Sequence, residues 1–445
     1  MPYASWLDRL GLHRRELRAW AYYDIANSAW MTTIMQMFPL AFFYPFAARG
    51  LAKGVAESRF SFGTALAILA VGLLGPWLGT LADLQGRKKA FLGAFLGVGA
   101  VLTASLYFVR EGQWVLALVL YAAGNVAVTS SLAFYNALLP GIAAADEIDR
   151  VSTAGFALGY LGGGLMFAVN MWMVASPATF GLADGYQAFR VSCAMVAAWW
   201  VAFSIPLFRR VHETPPRLEA GEAAAEGAGR VALRRLAETF RELRGHHRDA
   251  VWMLLAFLFY NDAVNTVIRM GGTFAKDVGL PDGPVFLAIL MIQFASIPFA
   301  FGFGLLAGRI GAKRSIYLAL AVWVSMVLAA FWLRTIGQFF VFAFVVAMVM
   351  GGIQALSRSL FAVLIPKHKA GEMFGFFGVF DRFGGVMGST IFGVMFAFTG
   401  SSRPAIASLV VLFLVGGYLL SHVDVERGRR VAREAEATAH EAGKA

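Results

Sequence analysis

Apolar runs long enough to cross a membrane recur along almost the whole chain, and this feature restricts the fold more than any other. Roughly 20 helical residues cover about 30 Å of hydrocarbon. Read in order, the runs give twelve spans: 16–46, 58–83, 89–109, 113–139, 151–175 and 186–208, then 249–275, 283–307, 314–333, 337–364, 371–399 and 404–422. Inside a bilayer every backbone N–H and C=O needs a protein partner, which leaves helices and closed barrels. A barrel would show segments of about ten residues with alternating polarity, whereas these runs are long and continuous. The expected class is therefore an all-α polytopic membrane protein. Composition agrees: 59% of the 445 residues are hydrophobic and 15% charged, against roughly a quarter charged in soluble domains.

The net charge of +11 does not point to nucleic acid, because the bases sit in alternate loops. With the N-terminus inside, most Lys and Arg fall in cytoplasmic segments, so both termini are expected in the cytoplasm of a cell whose inner membrane holds the protein. The first apolar run is span-length and lacks a small-residue cleavage site, so no cleavable signal peptide is expected. Cys193 is the one cysteine and reads as a packing residue. The longest loop divides the spans six and six, giving a first bundle at 1–209, a linker at 210–248, a second bundle at 249–423 and a tail at 424–445. Within the linker, 213–229 reads as flexible chain. The segment 230–244 spaces Leu233, Leu236, Phe240 and Leu243 among arginines, as in a basic amphipathic helix on the inner leaflet or a solvated helix.

The two halves echo each other. Tyr22–Ser28 (YYDIANS) aligns with Tyr260–Thr266 (YNDAVNT) at an offset of 238, which pairs Asp24 with Asp262. GTLADLQGRKK (79–89) aligns with GLLAGRIGAKR (304–314) at an offset of 225. Ser131, Tyr135, Leu138 and Pro140 align with Ser357, Phe361, Leu364 and Pro366 at an offset of 226. Three echoes in one order indicate two parallel six-span halves, an arrangement that places a substrate site at the midplane between them.

GTLADLQGRKK resembles the loop signature of the major facilitator superfamily. It is complete in the first half, while Gly308 replaces the aspartate in the second. GFALGYLGGG (155–164) resembles that superfamily's antiporter motif, with Tyr160 where proline is usual. Together YDIANSAW, FYNALLP (134–140), YNDAVNTVI (260–268) and IQALSRSLFAVLIP (353–366) resemble one subfamily, which includes the fungal autophagy-linked vacuolar amino-acid effluxers and bacterial permeases. The resemblance implies twelve helices in two pseudo-symmetric six-helix bundles and export of amino acids or similar small solutes.

Charged side chains within spans are costly and mark function or pairing. Asp24, Asn27 and Ser28 share a helix face, as do Gln354, Ser357 and Arg358; Asp262, Asn265, Thr266 and Arg269 form a longer stripe, and Asn125 and Thr129 a shorter one. The stripes fall on spans one, four, seven and ten, which line the central cavity in the resembled fold. Asp24 and Asp262 read either as cavity carboxylates for substrate or proton, or as a structural network with their asparagines. Arg358 and Asp24 would clamp a zwitterion or close on each other as a gate. Asp381 and Arg382 point about 100° apart and read as contacts between the halves. Asp83 can face the positive end of a helix from the other half; with Gly86 and Arg87 it forms the gating set that the resemblance implies. Glycines 155, 159, 162, 163 and 164 are expected to let spans five and eight slide.

No Walker loop, His–Glu zinc motif, thiol pair or nucleophile elbow occurs in the sequence, so an enzyme, a cofactor and a metal are not expected. The reading is a monomeric secondary transporter with a small-molecule substrate, protons or another coupling ion, and membrane lipids as partners. An exporter of amphiphilic compounds, a scaffold or sensor, and a lipid-acting enzyme are the alternatives.

Overall fold

The computed structural model describes residues 6–213, 245, 247–277, 282–383 and 386–442, and among them no strand occurs. The amphipathic segment expected at 230–244 lies outside the described residues. Among the described residues ten helices are long and apolar enough to cross a membrane, and Met387–Thr399 forms a shorter apolar helix. We number the main helices in chain order. The first helical run, α1, opens as Arg15–Ala29 and continues to Ala47. It is followed by α2 (Lys53–Gln85), α3 (Lys88–Ser105), α4 (Trp114–Ile142), α5 (Ile148–Ala175) and α6 (Gly185–Arg210). The second set is α7 (Arg248–Asp277), α8 (Asp282–Ile310), α9 (Ala312–Ala329), α10 (Ile336–Val363), α11a (Ala370–Phe383), α11b (Val386–Thr399) and α12 (Ser402–Ser408 with Val410–Ser421). A tail helix, α13 (Val425–Ala442), closes the chain. This is a twelve-helix fold of two pseudo-symmetric bundles.

Two spans differ from plain helices. Beyond Ala29, α1 loosens into wide π-helical turns over Trp30–Ile34 and Phe38–Ala47. Pro39 and Pro45 lack an N–H, and a proline ring clashes with the carbonyl four residues back, so the wider turn relieves a contact that an α-helix could not hold. In the eleventh span the N–H groups of Met387 and Gly388 donate to Asp262 of α7 at 2.9 and 3.0 Å. Backbone N–H groups turned to a carboxylate on a neighbouring helix mark an irregular stretch.

The bundles meet at the face that carries both chain ends. There α2 crosses α11a with almost no side chain between them. A Cβ at Gly371 would lie 2.8 Å from the Gly79 carbonyl oxygen, and one at Gly375 would lie 2.8 Å from that of Gly75. Glycine spaced by four on both helices makes this backbone-to-backbone crossing possible. Helix α5 packs on α8 and α10, and Ser152 Oγ donates to the Ala355 carbonyl at 2.7 Å. The glycines of α5 do not chiefly face α8, contrary to expectation. Gly155, Gly159, Gly162 and Gly163 abut Asp24, Ser28, Ile25 and Thr32 of α1, and only Gly164 meets Gln293 and Phe294 of α8. Gly155, Gly159 and the pair Gly162–Gly163 follow at intervals of three to four residues, so they form one stripe turned to α1.

Each bundle closes its own loop in the same way. Lys89 Nζ donates to the carbonyls of Phe208 and Val211 at 2.9 and 2.8 Å, and Lys313 Nζ to those of Ser421 and Val423 at 3.1 and 2.6 Å. Both lysines cap the carbonyl end of the bundle's last helix.

Candidate functional site

The densest polar cluster between the bundles is built around Arg358 on α10. The residue is only 3% exposed. Nε donates to Ser152 Oγ at 2.9 Å, and Nη2 to the Ser152 carbonyl at 2.8 Å and to Asp24 at 3.3 Å. Nη1 donates to Asp24 at 3.4 Å and to Asn136 at 3.3 Å. The guanidinium carbon sits 4.8 Å from the Trp20 ring centre and 4.5 Å from that of Phe156. The cation is thus held by donors' partners on three helices of the opposite bundle and by ring faces that favour positive charge.

Asp24 is equally enclosed. Its Oδ2 accepts from the Tyr135 hydroxyl at 2.8 Å as well as from Arg358, and its Oδ1 from the Asn27 amide at 3.4 Å. Trp20 stacks on Tyr135 with ring centres 4.4 Å apart, and its indole N–H donates to the Tyr135 carbonyl at 3.0 Å. Asp24 and Arg358 each lie within roughly 15 Å of their helix ends at the termini face. Beside them Ser359 Oγ donates to Asp149 of α5 at 2.5 Å.

Sequence reasoning singled out Asp24, Asn27 and Arg358, and the structure brings these together. It missed Trp20, Tyr135, Asn136, Ser152 and Phe156. Tyr135 and Asn136 stand inside FYNALLP, so the motif was visible while its target was not.

The other stripe residues lie apart from this cluster. Asn125 and Thr129 bond to each other at 3.3 Å. Ser357 bonds to Tyr260 at 2.5 Å, while Gln354 and Asn265 are half-buried. The oxygens of Asp262 receive Met387, Gly388 and the Thr266 hydroxyl, the last at 3.3 Å. Arg269 is exposed near the far end of α7.

A second junction joins the bundles through Asp83 at the end of α2. Its carboxylate accepts the N–H groups of Gly371 and Glu372 at 3.0 and 2.8 Å, in the first turn of α11a, where the helix dipole favours an anion. Lys88 Nζ lies 2.8 Å from Asp83 and is buried. Lys88 is the counter-ion of Asp83, because Gly86 turns the chain at φ +60° and swings Lys88 back over the carboxylate. Arg87 is exposed. Asp381 accepts from the Asn261 amide at 2.9 Å within the second bundle, and the side chain of Arg382 lies outside the described residues.

The repeat has a different register from the one the sequence suggested. Tyr23 donates to Ser131 at 3.1 Å, as Tyr260 bonds to Ser357. Gly162 abuts Ile25, as Gly388 abuts Asp262. These contacts align Tyr23 with Tyr260 and Ile25 with Asp262, so the positional counterpart of Asp24 is Asn261. Each of the two aspartates faces a different neighbour.

On the same face the tail helix is anchored on Asp249, at the start of α7. Arg427 donates to it through Nε at 2.8 Å and Nη2 at 2.7 Å. This bond and the charge of Asp249 hold the Arg427 guanidinium above its ordinary value, so it stays a cation at any working pH.

Comparison with known proteins follows this geometry. Residues 52–433 match the family described as "Vacuole effluxer Atg22 like". YxiO of Bacillus subtilis (strain 168), described as an uncharacterized MFS-type transporter, is 32% identical over 425 residues, covering 94% of this chain and 97% of that protein. Autophagy-related protein 22-1 of Penicillium rubens is 25% identical over 305 residues, which cover 64% of this chain and 50% of that protein. Among solved structures, the major facilitator proton:xylose symporter XylE shares the fold with a TM-score of 0.69 at 12% identity, over 96% of this chain and 98% of that one. The relatives are transporters rather than enzymes. This chain belongs to the Atg22-like family and is an integral membrane transporter of the major facilitator superfamily.

Proposed function

We propose that the protein is a secondary transporter that exports a small solute, an amino acid or similar zwitterion, by alternating access coupled to protons. The observation that carries this reading is the buried Asp24–Arg358 pair. It joins opposite bundles, and the guanidinium makes five hydrogen bonds across the seam, to Asp24, Asn136 and Ser152. Such a pair is stable only while the bundles touch, because either charge left alone in an apolar seam is costly. It therefore acts as a gate, closed in this conformation on the termini face, which the distribution of Lys and Arg assigns to the cytoplasm. The Asp83 junction closes the same face.

When the bundles part, water reaches both groups. Asp24 is then parted from its counter-charge, and we assign it as the carboxylate of the proposed proton coupling. Arg358, released from Ser152 and Asn136, is free to take a carboxylate on its planar fork. The export direction and the amino-acid class rest on the resemblance to vacuolar effluxers and on the family description. The protein is read as a monomer in the inner membrane, with both termini cytoplasmic.

Purified protein in liposomes tests this reading through counterflow of an amino-acid panel together with a lumenal pH dye. Exchange of at least one zwitterion with linked proton movement is expected. Silence for every solute with no proton flux would overturn the proposal.

A further inference from the structure

Beneath the tail helix lies a cleft of about 150 Å³ that touches three parts of the chain at once. Pro140, Ala143 and Ile148 of the first bundle form one wall, at the N-terminal end of α5. Ala362, Ile365 and Lys367 of the second bundle form another. The roof is α13, through Arg429, Ala432, Arg433 and Glu436.

Three cations therefore converge on a small space that holds one carboxylate, and Glu436 is already engaged by the Lys367 N–H at 3.0 Å. Asp149, at the first turn of α5, and Glu426, 3.5 Å from Arg429 Nη1, lie nearby and temper the charge. Among the described residues no acceptor meets the buried Nε–H of Arg429. A buried donor without an acceptor costs free energy, and a planar guanidinium is shaped to give that donor to a tetrahedral or planar oxyanion. Lys367 and Arg433 sit at the exposed rim of the cleft, while Arg430 on the same helix lies outside its lining, with a side chain 72% exposed.

We propose that this cleft binds a phosphate group, either free in solution or carried on a lipid headgroup, through Lys367, Arg429 and Arg433. A phosphate there ties the tail helix to the seam between Ile148 and Ile365. Those walls belong to opposite bundles, so the occupied cleft favours the conformation closed on this face. The link to the closed conformation rests on the alternating access proposed above, whereas phosphate binding is tested without transport.

Full-length protein in an uncharged detergent is titrated with sodium phosphate against sodium chloride at matched ionic strength. Phosphate should raise the melting temperature in a concentration-dependent way that chloride does not reproduce. Arg429→Gln with Arg433→Gln should weaken the apparent phosphate affinity by about ten-fold or more. Lys367→Gln alone should weaken it less, and Arg430→Gln should leave it unchanged. An equal response to chloride, or an undiminished response in both the double variant and Lys367→Gln, would overturn the proposal. Nanodiscs distinguish the two sources. If a lipid supplies the phosphate, phosphatidylglycerol stays bound to the native chain in mass spectra, is lost from the double variant, and abolishes the shift caused by free phosphate. If free phosphate is the ligand, its shift is the same in discs with and without phosphatidylglycerol.

Discussion

Asp24 on α1 faces Arg358 on α10 at 3.3 Å, and the two helices belong to different bundles. With side-chain exposures of 9% and 4%, each charge depends on the other. Removing one partner of a buried pair costs about 3–5 kcal/mol, whereas removing both can be close to neutral. Asp24→Asn and Arg358→Met should each lower the melting temperature, and the double variant should recover much of the loss. Additive losses in the thermal melts would show that the two groups are not coupled. In liposomes Asp24→Asn should abolish uphill, proton-linked transport while leaving exchange partly intact.

Arg358→Lys separates a gate from a substrate ligand. Lysine keeps the charge but cannot reproduce a planar fork that reaches Ser152, Asn136 and Asp24 together. Transport of carboxylated solutes should fall most in a counterflow panel. A uniform loss for every solute would confine Arg358 to the gate.

Tyr135→Phe removes one hydroxyl donor from Asp24, at 2.8 Å in the native protein, and keeps the ring beneath Trp20 and Arg358. The cost should be about 1–3 kcal/mol, read as a lower denaturation midpoint with the fold intact. No change in midpoint would mean that another donor takes the place.

Gly375→Leu places a side chain where the Gly75 carbonyl already stands at 2.8 Å from a Cβ. The α2–α11a crossing cannot then close. A cysteine introduced in the seam should become more reactive to a water-soluble maleimide, and native Cys193, which is buried, gives little background. Unchanged reactivity would show that this crossing does not set access.

Asp262 accepts two backbone N–H groups of α11b. Asp262→Ala should cost about 1–3 kcal/mol, as leaving buried donors without an acceptor does, and Asp262→Asn less, because one acceptor remains. If proton coupling survives in Asp262→Asn while failing in Asp24→Asn, the two aspartates have separate tasks. Loss of coupling in both would join them.

The sequence by itself determined the membrane class, the twelve spans, the two-half repeat and the family. Each of these depends on the length and order of apolar runs or on short motifs, which survive small errors of alignment. Only the tertiary structure decided which polar residues meet. Each residue turns a helix by about 100°, so the one-position difference in the repeat moves Asp24 onto Arg358 and Asp262 onto the N–H groups of Met387 and Gly388. Lys88 became the partner of Asp83 because of the turn at Gly86, and Tyr135, Asn136 and Ser152 gained their roles from helices distant in the chain. Apolar length is a property of one segment, whereas the partner of a buried charge is set by the rotation and packing of several.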